Sequence, residues 1–172
     1  MRGRAFKFGD NISTDHIAPG RLLHLRSNLP ELAKHVLEDA DPSFASRVKK
    51  GDFVVAGGNF GLGSSREHAP RILKMAGVSA VLAKSVARIF FRNAINIGLP
   101  VLICDTDRIN HGDTLEVDLA SGKITDLTNS AELAAGKIPP VMLAILDEGG
   151  LVPYIQRHGD FVLPGTRQDK SD

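Results

Sequence analysis

A stretch near the middle of the chain, Gly57 to Pro70, leaves few folds open to it. It follows the apolar run Phe53-Val54-Val55-Ala56, carries glycine at 57, 58, 61 and 63, and continues Ser64-Ser65-Arg66-Glu67-His68. Behind it Ala69, Ile72, Leu73 and Ala76 recur at i, i+3, i+4 and i+7, the stripe of an amphipathic helix. The order is therefore strand, glycine-rich loop, helix. Glycines admit positive φ and close approach of a ligand to the backbone. Ser64 and Ser65 stand where a helix takes its N-cap, beside first-turn N–H groups without an intrahelical acceptor. Arg66 adds a permanently charged planar fork that matches a carboxylate. Together these groups predict a site for a carboxylate or a phosphate.

Other glycine-loop chemistries are excluded by the residues themselves. No Lys-Ser or Lys-Thr follows the glycines, so the phosphate loop of nucleotide hydrolases fails. The glycine order is not that of the dinucleotide fingerprint, and no glycine lies two residues past either serine to form a nucleophile elbow. Taken alone, the stretch is equally well read as an ordinary capped helix with a surface arginine.

Three blocks decide between these readings. Asn59 to Ala69 (NFGLGSSREHA), Ala83 to Pro100 (AKSVARIFFRNAINIGLP) and Gly9 to Ile17 (GDNISTDHI) resemble, in order and spacing, the signature blocks of the swivelling domain of the aconitase superfamily. The similarity runs from about Gly3 to about Gln156, and a chain of this size resembles the free-standing small subunits of the 3-isopropylmalate dehydratase and homoaconitase branch. The resemblance implies an α/β fold, a layered swivelling β/β/α domain over residues 1–158 with a mostly parallel sheet and flanking helices. Residues 159–172 are read as a polar tail. It also implies a hydro-lyase that isomerises a hydroxy-dicarboxylate by dehydration and rehydration, active only with a large subunit carrying a [4Fe–4S] cluster. Self-association is a further expectation.

The same resemblance suggests roles. Ser64 would act as the base that removes a proton from carbon, as an alkoxide; a serine hydroxyl needs fixed positive charge and donors around it to do so. Ser65 and Arg66 would hold substrate, with Thr14 also in contact, and Asp15 would orient Arg66 or the serine side chain. His16 and Gly63 would support them. Arg88, Arg92 and Asn93 either brace the serine loop or a partner or form a solvated helix face. Spacing alone makes Asp15 a turn cap and His16 a solvent-facing side chain.

The same resemblance places substrate choice in Arg21-Leu22-Leu23-His24-Leu25-Arg26-Ser27-Asn28. Leu22, Leu23 and Leu25 suit an apolar pocket such as the one that receives the isopropyl group in those relatives, with Leu23 and Leu25 named as its contacts, which points to isopropylmalate and leucine biosynthesis. Arg26 resembles the arginine that receives the extra carboxylate of a tricarboxylate in aconitases and homoaconitases. A guanidinium facing an isopropyl group, or leucines facing a carboxylate, leaves a polar group unpaired at a cost of kilocalories. A non-catalytic small-acid binding or regulatory module is the rival from another class.

Composition narrows the partners. At 172 residues with 42% hydrophobic side chains the chain is one folded domain. Lys plus Arg number 21 against 20 Asp plus Glu, which carries no nucleic-acid footprint. No apolar run approaches a membrane span, and Met1-Arg2-Gly3-Arg4 leads into strand-like sequence, not a signal peptide. The single cysteine, Cys104, ends an apolar strand and is read as a small buried hydrophobe in a reducing cytoplasm. One thiol cannot hold a cluster, and the six histidines show no metal-ligand spacing, so no metal is assigned to this chain.

Patterning predicts the remaining elements. A first strand spans Arg4 to Phe8, a helix runs from Leu29 behind Asn28 towards Asp39, and a strand covers Val78 to Ala83. A helix capped by Ser85 ends at Gly98. Asp113 to Leu119 and Lys123 to Leu127 form a hairpin, and Pro139 to Leu146 a short apolar helix.

Overall fold

A computed structural model of the protein describes residues 1–159; beyond Gly159 the expected tail lies outside the described residues. In chain order the elements are β1 (Arg2–Lys7), α1 (Thr14–Ile17), a 3₁₀ segment (Gly20–Ser27), α2 (Leu29–Ala33), α3 (Phe44–Arg47) and β2 (Phe53–Ala56). They continue with α4 (His68–Met75), β3 (Ala80–Ala83), α5 (Arg88–Asn96), β4 (Val101–Ile103), β5 (Thr114–Asp118), β6 (Lys123–Asp126), β7 (Ala131–Ala134), α6 (Pro140–Asp147) and α7 (Leu151–His158).

Seven strands form one sheet in the order β4-β3-β2-β1-β5-β6-β7. β1 to β4 pair in parallel, with Ala5 opposite Phe53, Val54 opposite Val81 and Leu82 opposite Leu102. The expected hairpin, β5 and β6, joins the other side of β1 antiparallel, and β7 extends it. The fold is the layered α/β class expected, but the sheet is evenly mixed and not mostly parallel, because the hairpin and β7 pair antiparallel; its parallel part carries the site. The Gly136 N–H donates to the Ile103 carbonyl at 2.9 Å, tying the chain after edge strand β7 to edge strand β4. The sheet thus curls until its two edges meet at one point, which shields both from stray pairing.

Every residue of β2 and β3 is buried, as parallel strands covered on both faces require. Phe6, Val54, Ala56, Val81 and Ala83 pack with Ile17, Leu32, Phe44, Ile72, Leu73 and Phe90 of α1 to α5. On the opposite face Ala5, Phe53, Val55, Leu82 and Leu102 meet Leu115, Val117 and Ile124 of the antiparallel strands and Ile145, Leu146 and Tyr154 of α6 and α7. Strands enter and leave this double core in the same direction, so the loops after β1, β2 and β3 gather at one edge, where α/β proteins place ligands.

Several local expectations are corrected. The helix from Leu29 stops at Ala33: the next N–H groups bond three residues back, and Leu37, at φ +56°, donates to the Ile17 carbonyl instead. Asn28 does cap its start, accepting the Glu31 N–H at 3.4 Å. α4 begins at His68, so Ser64 and Ser65 are not its caps; Pro70, which fits only a first turn, marks that start. Ser85 does not cap α5, which begins at Arg88; its hydroxyl instead accepts the Asn59 N–H at 2.8 Å. α1, the 3₁₀ segment, α3, β7 and α7 were not anticipated. α1 and β7 are four residues each, too short for a period to show, and α7 has Pro153 in its first turn.

Candidate active site

Three loops build the site, one after each of the first three parallel strands. Backbone hydrogen bonds lace them together: Gly57 N–H to Gly9 O (3.1 Å), Asn11 N–H to Gly58 O (2.9 Å), Gly61 N–H to Ile12 O (2.7 Å) and Phe60 N–H to Ser85 O (3.0 Å). Asp10 accepts the Gly58 N–H at 2.6 Å. Phe60 is fully buried beneath the loop and meets Phe90 edge to face at 5.2 Å. The loop is therefore a braced extension of the sheet. Its geometry depends on two glycines: Gly61, at φ +76°, where an added Cβ would lie 2.3 Å from the Phe90 ring, and Gly63, at φ +112°, where it would lie 3.0 Å from Thr14 Oγ1.

That brace presents Ser64 and Ser65 to solvent and leaves Arg66 half-buried. Among the described residues no hydrogen bond engages either serine hydroxyl, and none engages the N–H groups of Ser65, Arg66 and Glu67. Both hydroxyls and three consecutive amides are thus free to receive a ligand, beside a guanidinium and just ahead of a helix. This is an anion-receiving arrangement. It sits in the turn before α4 and not on its first turn.

Asp15 and Arg66, 51 residues apart, meet in an ion pair through Oδ1 and Nη1. The carboxylate side chain is 64% exposed and the guanidinium 22%, so the pair fixes the fork's direction more than it stabilises the fold. Only one guanidinium nitrogen is engaged, and the rest of the fork remains available to a second carboxylate. Gly20, which sequence reading passed over, makes room for the pair: a Cβ there would stand 3.3 Å from Asp15 Oδ1.

Thr14 and His16 take different places from those expected. Thr14 is 2% exposed, and its hydroxyl accepts the Ser64 N–H at 3.2 Å, so it lies beneath the loop and away from substrate. His16 closes a capping box: the Ser13 hydroxyl accepts the His16 N–H at 3.2 Å, and His16 Nδ1 accepts the Ser13 N–H at 3.0 Å. It supports the site only by holding α1. Asn93 reaches the Ser65 carbonyl at 3.5 Å. Arg88 and Arg92 are exposed and, among the described residues, have no hydrogen bond to the serine loop.

The substrate-choice loop folds as the 3₁₀ segment. Leu22, Leu23 and Leu25 are all half-buried, and Leu22 and Leu25 pack against the edge of the core. Arg26 is exposed and lines a cleft of about 210 Å³ with Leu29, Glu67, His68 and Arg71. Glu67 is held by Arg71 at 3.0 Å. His68, not foreseen from sequence, has its pKa held below the ordinary value, first by partial burial and then by the positive charges of Arg66 and Arg26.

An iron–sulfur cluster, which the resemblance implies for the whole enzyme, does not fit the donors of this chain. Cys104 is 7% exposed, and burial, assisted by Asp105, pushes its thiol up to about 11. Among the described residues no three His, Cys, Asp or Glu side chains converge on a metal position. No helix of the described residues is long and apolar enough to cross a membrane.

The geometry has counterparts. The aconitase C-terminal domain model matches residues 9–105, the span that contains all three loops. The chain is 68% identical over 160 residues to 3-isopropylmalate dehydratase small subunit 2 of Archaeoglobus fulgidus, covering 93% of this chain and 97% of that one. It is 62% identical over 162 residues to 3-isopropylmalate dehydratase small subunit 1 of Thermotoga maritima, covering 94% and 98%. Among solved structures, 3-isopropylmalate dehydratase of Methanocaldococcus jannaschii superposes with a TM-score of 0.88 at 44% identity, covering 92% of this chain and 94% of the other.

Proposed function

The chain belongs to the aconitase C-terminal domain family, and from that premise we propose that it is the small, base-bearing subunit of a two-chain hydro-lyase of the 3-isopropylmalate dehydratase type. One observation supports this most: a solvent-facing Ser64 with an unengaged hydroxyl, set between three free amides and an oriented Arg66 at the carboxyl edge of a parallel sheet.

In this reading Arg66, aimed by Asp15, and the amides of Ser65 to Glu67 receive a substrate carboxylate. Ser65 donates a further hydrogen bond. With the carboxylate held, the proton on the adjacent carbon faces the Ser64 alkoxide, which takes it as the neighbouring C–OH bond breaks and a C=C bond forms; the surrounding guanidinium and amide dipoles stabilise the alkoxide beforehand and the negative charge that passes to the bound carboxylate. Rehydration returns the proton from the same oxygen. Because these groups lie on an open surface, water is excluded only when a second chain covers them. The large subunit is the expected cover and the carrier of the [4Fe–4S] cluster, which supplies Lewis acidity towards the substrate hydroxyl. A reducing cytoplasm is consistent with the lone free thiol.

The substrate we assign is isopropylmalate, on the names of the relatives and on Leu23. The exposed Arg26, in a cleft with His68 and Arg71, supports a tricarboxylate as the second reading. The test is to co-express the chain with its large subunit and assay 3-isopropylmalate, homocitrate and citrate. Isopropylmalate should turn over fastest, and Ser64→Ala should lower kcat roughly 10²- to 10⁴-fold with KM little changed. Full activity of Ser64→Ala refutes the mechanism. Binding of dicarboxylates by the isolated chain, with no large-subunit complex, would favour a regulatory module.

A further inference from the structure

Beneath the serine loop, at the start of α1, lies a buried residue that holds the loop from below. We propose that Thr14 is a positioning residue for the reaction: its hydroxyl anchors the backbone beneath Ser64 and so sets where the Ser64 oxygen stands. This rests on the reading of Ser64 as the base.

Thr14 grips the loop at two points that straddle Gly63. Its own N–H donates to the Leu62 carbonyl at 2.8 Å, and its Oγ1 accepts the Ser64 N–H at 3.2 Å. Gly63 passes between them so closely that any side chain would press on the hydroxyl, with its Cβ at 3.0 Å from Oγ1. At that position φ is +112°, a conformation in which only glycine is unstrained. The loop therefore spans Gly63, a residue with little stiffness of its own, and Thr14 supplies the fixed point on its far side.

Thr14 is itself immobilised. It begins α1, where the Ser13–His16 capping box closes the start and the Ala18 N–H returns to the Thr14 carbonyl at 2.9 Å. The neighbouring Asp15 aims Arg66 from the same short helix. One rigid turn thus sets both elements of the site: residue 14 holds the base through its backbone, and residue 15 holds the carboxylate receiver through its side chain. These two holds are separable, and that separability gives the test. Loss of the Thr14 hydroxyl displaces Ser64 while leaving the Asp15–Arg66 pair in place, so turnover falls and substrate binding does not.

The experiment uses the reconstituted two-chain enzyme with Thr14→Val, which replaces the hydroxyl by a methyl of similar size, and Thr14→Ser, which keeps it. A misplacement of ~1 Å at the reacting atoms costs on the order of a hundredfold. Thr14→Val should therefore lose about tenfold to a hundredfold in kcat with KM within about threefold, while Thr14→Ser stays within about threefold of the parent in both. Amide exchange followed by NMR on the full small subunit gives a reading independent of turnover: in Thr14→Val the Ser64 N–H should exchange faster. Unchanged kcat in Thr14→Val, equal damage to KM and kcat, or failure of Thr14→Ser to retain activity each overturns the proposal. If Thr14→Val does not fold, Thr14→Ser alone decides, and a drop of tenfold or more in its kcat overturns it. Ser64→Ala assayed alongside separates the two readings. An active Ser64→Ala defeats the base assignment, whereas an inactive Ser64→Ala with a fully active Thr14→Val defeats only the positioning role.

Discussion

Replacing Gly61 by alanine should damage this protein far more than the gain of one methyl group suggests. Two terms act. The residue sits at φ +76°, where an L-side chain costs about 1–2 kcal/mol. The new methyl would also lie 2.3 Å from Cγ and 2.6 Å from Cβ of Phe90, inside any tolerable contact. Phe90 is buried at 2% exposure and stacked edge to face on Phe60, so it cannot swing into solvent; overpacking of this kind costs about 1–3 kcal/mol. The expected total is about 2–5 kcal/mol, a large share of the ~5–15 kcal/mol that holds a domain together. Urea midpoints at constant slope measure it. Phe90→Ala alone should cost about 3–5 kcal/mol through its cavity. In the double variant the steric term disappears, so the two costs should fall short of their sum by about 1–3 kcal/mol. A Gly61→Ala protein within 0.5 kcal/mol of the parent, or strict additivity with Phe90→Ala, would refute the claim that the serine loop is locked onto α5.

Two further outcomes follow from the titrating groups. Cys104, with its thiol pushed up to about 11, should react with a disulfide reagent at pH 8 on the order of a hundredfold more slowly in the native chain than in urea; equal rates would show that it is not buried. His68 has a lowered pKa when folded, so the unfolded chain takes up its proton first as pH falls below about 6.5. Stability contributed by the neutral imidazole is present above that pH and is lost on acidification. Urea midpoints at pH 7.5 and 5.5 should therefore differ less in His68→Gln than in the parent, and an unchanged difference contradicts the assignment.

Much of the site could be read along the chain because its chemistry is local. Ser64, Ser65 and Arg66 are consecutive, the apolar run before them is a buried strand, and the stripe after them is α4. Phe53 to Ile103 reads as alternating strands and helices, and the parallel order follows from that alternation. The errors fell where tertiary partners overrule a local signal. The helix stripe from Leu29 to Leu37 is real, but Leu37 bonds to Ile17 and the helix stops short. The hydroxyl of Ser85 suits a cap, yet the Asn59 N–H takes it.

Residue types and their spacing thus determined the alternation of strands and helices and the serine loop between β2 and α4, because side-chain chemistry and helix or strand periodicity are properties of neighbours in sequence. Only the folded chain decided that Thr14 faces inward, that Asp15 pairs with Arg66 and not with a serine, and that His68 lies beside Arg26. Those outcomes depend on which N–H groups and charges remain unpaired once β1, β2 and β3 are aligned, and alignment of strands some fifty residues apart is set by burying two faces of one sheet at once.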